Sequence, residues 1–177
     1  MNNTPQFELM EENLQNLKLR MPDLPVSGIL LCRLLLHIGR EMAAGFEQQI
    51  RPYGLAEAEF RVLTTLFSQP DGAAHPSDLC VRASQSPANM SRISDALVDR
   101  GLITRVSSVH DRRRMVLRIT DEGEKFVRDL LPTLHVSLRR MLKDFPESEQ
   151  RQMVAQLKRL GAGLDQLSAT AMTEPAL

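Results

Sequence analysis

The densest run of reactive side chains is His110-Asp111-Arg112-Arg113-Arg114, set between two short alternating segments. Three adjacent arginines repel one another, so the run costs stability unless an anion lies close by. Under two-residue alternation Asp111 and Arg113 share one side, where the carboxylate can orient the guanidinium. An oriented arginine at a hairpin tip suits a narrow minor groove, where negative potential is concentrated. Arg112 and Arg114 are then left to neutralise flanking phosphates. A solvated charged turn is the plainer alternative, and the elements that precede the run weigh against it.

A second constellation lies upstream, on a segment that reads as a helix from Pro87 to Arg100. Met90, Ile93 and Leu97 recur at helical spacing and must face a core. The opposite side carries Ala88, Ser91 and Asp95, with Pro87, Arg92 and Ser94 at its edges. Small and polar groups in the N-terminal half, from Ser86 through Asn89 to Arg92, suit a helix that enters a major groove. An ordinary solvated helix face has much the same composition.

Charge is distributed in keeping with these two features. The chain of 177 residues has zero formal net charge. Between Pro76 and Thr120, however, Arg82, Arg92, Arg100, Arg105, Arg112, Arg113, Arg114 and Arg118 face only Asp78, Asp95, Asp99 and Asp111. A basic module on an acidic scaffold is what a phosphate-binding head on a larger body would show.

The elements that must position these groups are mainly helical, as expected of a chain poor in aromatics, with no Trp and one Tyr. Phe7, Met10, Leu14 and Leu17 mark a short amphipathic stretch that Pro22 and Pro25 stop. Ser27 then precedes an apolar helix from about Gly28 to Ile50, closed by Arg51-Pro52-Tyr53-Gly54. A third helix, about Ala56 to Ser68, sets Phe60, Leu63, Thr64 and Phe67 on one face before the turn Gln69-Pro70-Asp71-Gly72. A short helix from Pro76 to Ala83 follows, with Leu79 and Cys80 inward. Ser86 caps the next helix, Pro87 takes its first position and Gly101 ends it.

The period then changes to two. Leu102, Thr104 and Val106 alternate with Ile103, Arg105 and Ser107, and Met115, Leu117 and Ile119 alternate with Val116, Arg118 and Thr120. Thr120 caps a long helix in which Pro132 is a candidate kink, and a last helix runs from about Glu147 to Leu167. Helix, helix, helix, strand, basic hairpin, strand is the order of a winged helix-turn-helix in a mainly α (α+β) chain. The expected organisation is 1–54 as N-terminal helices of a dimerisation region, 55–120 as the winged DNA-binding domain, and 121–177 as C-terminal dimerisation helices.

Asp111-Arg112-Arg113, followed by Leu117-Arg118-Ile119-Thr120-Asp121-Glu122-Gly123, resembles the wing of the MarR family of bacterial regulators. Arg100-Gly101-Leu102-Ile103 matches that family's helix-to-strand junction, and the likeness spans about residues 28–167. The resemblance implies a homodimer whose terminal helices interlock and whose two winged helices meet a palindrome in double-stranded DNA. It also implies a ligand-responsive repressor. Ile29-Leu30-Leu31-Cys32-Arg33-Leu34, with His37 one turn on, is similar to the corresponding segment of multidrug-efflux repressors in the family. That likeness implies hydrophobic weak acids and phenolics as effectors.

Arg33, His37 and Arg40, at i, i+4 and i+7, form a cationic stripe on an apolar helix. In family terms this helix lines the effector cleft, and Phe60 and Leu63 would supply apolar walls. Pairing with Glu57 or Glu59, or plain solvation, is the alternative for each residue. Peroxide-sensing relatives carry a reactive Cys at a place similar to Cys32, which makes a thiol-based sensor a second reading. Those sensors resemble one another in tyrosines that bond the thiolate; here Leu36 stands one turn on, and the single Tyr is Tyr53. Cys32 and Cys80 give neither a disulfide framework nor a zinc spacing. His37, His75, His110 and His135 are scattered, and no nucleophile–base set or phosphate loop appears. Neither metal nor cofactor is expected, nor an enzyme. With no secretory signal and no membrane-spanning run, the expected location is the cytoplasm. A winged helix that docks another protein remains the alternative of a different class.

Overall fold

The computed structural model describes the backbone of residues 4–107 and 115–171. Its elements are α1 (Thr4–Arg20), α2 (Val26–Ile50), a 3₁₀ turn (Arg51–Tyr53), α3 (Glu57–Phe67), β1 (Ala73–Ala74), α4 (Pro76–Arg82), α5 (Pro87–Asp99), β2 (Ile103–Ser107), β3 (Met115–Ile119), α6 (Asp121–Met141) and α7 (Glu147–Ala171). They form two compact units, Met1–Val127 and Arg128–Leu177, with α6 contributing to both.

In the first unit α3, α4 and α5 enclose one apolar core against the sheet. Val62, Leu63 and Leu66 come from α3, Leu79 from α4, Met90, Ile93 and Leu97 from α5, and Ile103, Leu117 and Ile119 from the strands; all are buried. Each such side chain is worth about 1.5–3 kcal/mol of burial, which is what fixes α5 in place. The buried stripe of α3 thus centres on Val62, Leu63 and Leu66. Phe60 is turned instead toward α2, where its ring meets Phe46 edge-on at 5.0 Å.

The sheet is antiparallel in the order β1-β3-β2, with Ile103 opposite Ile119 and Arg105 opposite Leu117. Its inward positions on β3 are Leu117 and Ile119, as alternation requires. β1 is only two residues long and pairs Ala73 with Arg118. Thr120 closes the sheet onto α6: its Oγ1 accepts from the Gly123 N–H at 3.0 Å and donates to the Gly101 carbonyl at 2.7 Å.

The N-terminal helices differ from the sequence reading at one cap. α2 starts at Val26 with Pro25 in the cap position, so Ser27 lies inside the first turn rather than ahead of it. Proline has no side-chain acceptor, so the first-turn N–H groups receive no side-chain cap there. α1 packs on α2 through Leu14, which is 1% exposed.

In the second unit α6 continues as one helix through Pro132, and α7 follows the Phe145–Pro146 turn. Val136, Leu138, Met141, Phe145, Met153, Val154, Leu157 and Leu164 remain exposed there. Among the described residues no helix is long and apolar enough to cross a membrane.

Candidate nucleic-acid interface

α4 and α5 are joined by a turn whose geometry is dictated residue by residue. The Gln85 N–H donates to the Cys80 carbonyl at 2.8 Å and Ser84 N–H to Val81 at 3.3 Å, with Ser84 left-handed at φ 53°. These two bonds are the Schellman closure of α4. Ser86 then starts α5: its Oγ accepts the Asn89 N–H at 3.2 Å, and Pro87 fills the first helical position. At the other end Gly101, with φ 69°, makes the same closure, since Leu102 N–H reaches the Leu97 carbonyl at 3.0 Å.

One side of α5 is buried and the other faces solvent. Pro87, Ala88, Ser91 and Arg92 are exposed, and Asn89 is half-buried. Ser94 is not on this open side: it is 3% exposed, and its hydroxyl donates to the Met90 carbonyl at 2.7 Å. That bond satisfies the hydroxyl inside the core, so a serine is tolerated where alternating burial wants an apolar residue. Asp95 is exposed but committed, forming an ion pair with Arg105 of β2.

A polar chain runs along the N-terminal half of the helix. Asn89 Nδ2 donates to Gln85 Oε1 at 2.5 Å, while Arg92 Nε and Nη2 donate to Asn89 Oδ1 at 3.3 and 2.9 Å. Gln85 escaped the sequence reading because it precedes the helix cap; its i, i+4 spacing to Asn89 was the available signal.

Arg100 was also missed as a positioned residue. From the C-cap of α5, its Nη1 donates to the Gly54 carbonyl at 2.6 Å and its Nη2 to Tyr53 at 2.9 Å. The guanidinium lies 5.5 Å from the Phe126 ring, which Tyr53 meets edge-on at 6.4 Å. The exit of α2, the end of α5 and the start of α6 are therefore tied at one point.

His110, Asp111, Arg112, Arg113 and Arg114 lie outside the described residues. The α2 stripe does not form one environment. Arg33 and Arg40 are exposed, whereas His37 is 7% exposed, with Phe7 of α1 edge-on to it at 5.6 Å and no hydrogen-bond partner for Nε2 among the described residues. Leu63 is fully buried and Phe60 half-buried. A hollow of about 710 Å³ is lined by residues that include Ala44, Glu47, Gln48, Arg51, Leu55 and Glu59. Glu57 pairs with Arg61, and Glu59 accepts from the Ala56 N–H at 3.0 Å. Cys32 is exposed on α2 and Cys80 half-buried on α4.

The profile described as MarR family matches residues 53–114. The transcriptional repressor MprA of Escherichia coli strain K12 is 32% identical over 161 residues, covering 91% of this chain and 92% of that protein. Among solved structures, Sco3205, a MarR family transcriptional regulator from Streptomyces coelicolor in complex with DNA, superposes with a TM-score of 0.71 at 21% identity. That match covers 78% of this chain and 88% of Sco3205. CouR from Rhodococcus jostii RHA1, bound to p-coumaroyl-CoA, gives 0.65 at 22% identity, covering 72% and 88% of the two chains. A three-stranded sheet in the order β1-β3-β2, with α5 packed on the core by one side, belongs to the winged helix-turn-helix fold these solved structures share. The chain is a regulator of transcription rather than an enzyme, and it belongs to the MarR family.

Proposed function

We propose that the chain represses transcription by binding operator DNA as a homodimer, each protomer laying the N-terminal half of α5 in a major groove. The groove contacts are Ser86, Pro87, Ala88, Asn89, Ser91 and Arg92. The observation that carries this reading is the two-sidedness of α5. Its inner face is fully buried, so the helix is rigid, while its outer N-terminal face offers small groups and aimed polar ones. On the wing, Arg113 enters the adjacent minor groove with Asp111 orienting it, and Arg112 and Arg114 hold phosphates.

Residues 55–120 are then the DNA-reading part, with 1–54 and 121–177 holding the dimer together. Exposed apolar side chains support that division: Leu9 and Leu19 on α1, Leu36 and Met42 on α2, Met141 on α6 and Met153 and Leu164 on α7. Rows of this kind need a cover in water. Two-fold symmetry gives a near-palindromic site with half-sites about 10 bp apart.

The effector is a small aromatic acid or phenol bound beside α2. Supporting it are the exposed Arg33 and Arg40, the Nε2 of His37, which has no hydrogen-bond partner among the described residues, the half-buried Phe60 and the buried Leu63. Its binding would favour a lobe spacing that no longer matches the operator.

Gel shifts with genomic fragments, repeated across salt concentrations, test the reading. Saturable binding that weakens steeply with salt is expected. A flat salt response or no shift would identify a protein-docking winged helix instead. Sedimentation of the free protein must return a dimer.

A further inference from the structure

We infer that Arg92 recognises a guanine in each half-site through the end-on edge of its guanidinium, and that Asn89, set by Gln85, aims it. This rests on the proposal that α5 occupies a major groove. A guanidinium presents its five N–H groups in a fixed plane. The side edge of Arg92, Nε–H with one hydrogen of Nη2, is spent on Asn89 Oδ1 at 3.3 and 2.9 Å. The end-on edge, formed by Nη1 and the outer hydrogen of Nη2, has no partner among the described residues.

The aim is fixed by the direction of the chain. Asn89 must turn its oxygen toward the cation, which leaves Nδ2 to donate to Gln85 Oε1 at 2.5 Å. Reversing the Asn89 amide would set N–H groups against N–H groups, so one orientation holds. Competing partners for Arg92 are removed in the same way. Asp95, three residues on and within helical reach, is taken by Arg105. Ser91, its neighbour on the open face, turns its hydroxyl back to the Pro87 carbonyl at 3.3 Å. One turn earlier stands Ala88, small enough to let the helix approach the groove floor.

Two parallel donors match guanine, whose O6 and N7 are both acceptors in the major groove. Adenine sets a donor beside N7 and would face one of the two unpaired. Because the arginine is held before DNA arrives, little rotamer freedom is left to lose on binding. A lysine at the same place keeps the charge and loses the fork.

Selection from a duplex library with a randomised 20-bp core (about two helical turns) tests this, using the full-length protein and its Arg92→Lys and Asn89→Ala variants. The wild type should enrich a two-fold motif with one invariant guanine per half-site. Arg92→Lys should lose that guanine alone, keep the other positions, and bind a scrambled duplex as the wild type does. Against the selected duplex its affinity should fall about 5- to 150-fold, the worth of one bidentate contact. Asn89→Ala should relax the same position without moving the unfolding midpoint. An Arg92→Lys motif that keeps its guanine overturns the inference while sparing the groove reading. An Asn89→Ala variant as selective as the wild type removes Asn89 as the aiming residue. A wild type that enriches no motif overturns the inference and the groove reading together.

Discussion

The guanidinium of Arg100 donates to the carbonyl oxygen of Gly54 across 2.6 Å, although the two residues lie 46 positions apart. With its second bond to Tyr53 and its place over Phe126, it fastens the end of α5 to the exit of α2. Replacing Arg100 by Ala should lower stability by about 1–2 kcal/mol, since charge-assisted bonds to carbonyls are lost on an exposed site. Lysine should recover only part of this, lacking the fork that spans two carbonyls. Urea unfolding, compared at constant slope, measures it. An unmoved midpoint would mean that water serves Tyr53 and Gly54 equally well.

Gly123, in the first turn of α6, lies against the backbone of Leu102, between α5 and β2. A Cβ there would overlap the Leu102 carbonyl oxygen and come within 2.8 Å of Ile119 Cγ1. The obstruction is backbone, which cannot swing aside as a flexible side chain would. Gly123→Ala should therefore cost about 3 kcal/mol or more, at or beyond the upper end of ordinary overpacking. Thermal unfolding would reveal it as a marked drop in Tm, and a shift of a degree or less would contradict the close approach.

Ser84 is the one described residue other than glycine with a positive φ. It holds the left-handed position between α4 and α5, which costs an L-residue roughly 1–2 kcal/mol. Ser84→Gly should raise stability by about 1 kcal/mol, part of the relief being offset by added freedom in the unfolded chain. Equilibrium denaturation decides the sign. A destabilised variant would point to a task for the serine side chain in the turn.

The wing arginines should separate into two kinds by their response to salt. Arg112→Ala and Arg114→Ala should each lower the slope of log affinity against log salt by about 0.9, the value for one neutralised phosphate. Arg113→Ala should cost about 1–3 kcal/mol in a sequence-dependent way, as expected of a groove contact. Binding isotherms on an operator and on a scrambled duplex distinguish these. Three equal losses on both duplexes would reduce the wing to a plain basic patch.

The frame of the winged helix was legible in the chain because its signals are local. Ser86, Pro87 and Gly101 mark the ends of α5 through groups within a few residues of each other, and the helix runs from Pro87 to Asp99. The step from helical to two-residue spacing at Ile103, and back at Thr120, is equally local. So is the inner face of Met90, Ile93 and Leu97, since periodicity alone places it.

What escaped depended on partners distant in sequence or on which neighbour covers a residue. β1 is two residues long and has no period to read; it exists because β3 offers Ala73 and Ala74 an edge. Arg33, His37 and Arg40 share a stripe by spacing, yet Phe7 lies against the buried ring of His37 while both arginines stay in water. Asp95 lost its open role to Arg105, and Ser94 turned inward to Met90. Residue type and spacing thus settled the order, ends and inner faces of the elements, because caps, glycines and apolar periods act within one or two turns. Which charges stay free, which are spent on each other, and how Arg100 and Asn89 aim their neighbours were decided by packing, because those contacts exist only once the helices and the sheet have met.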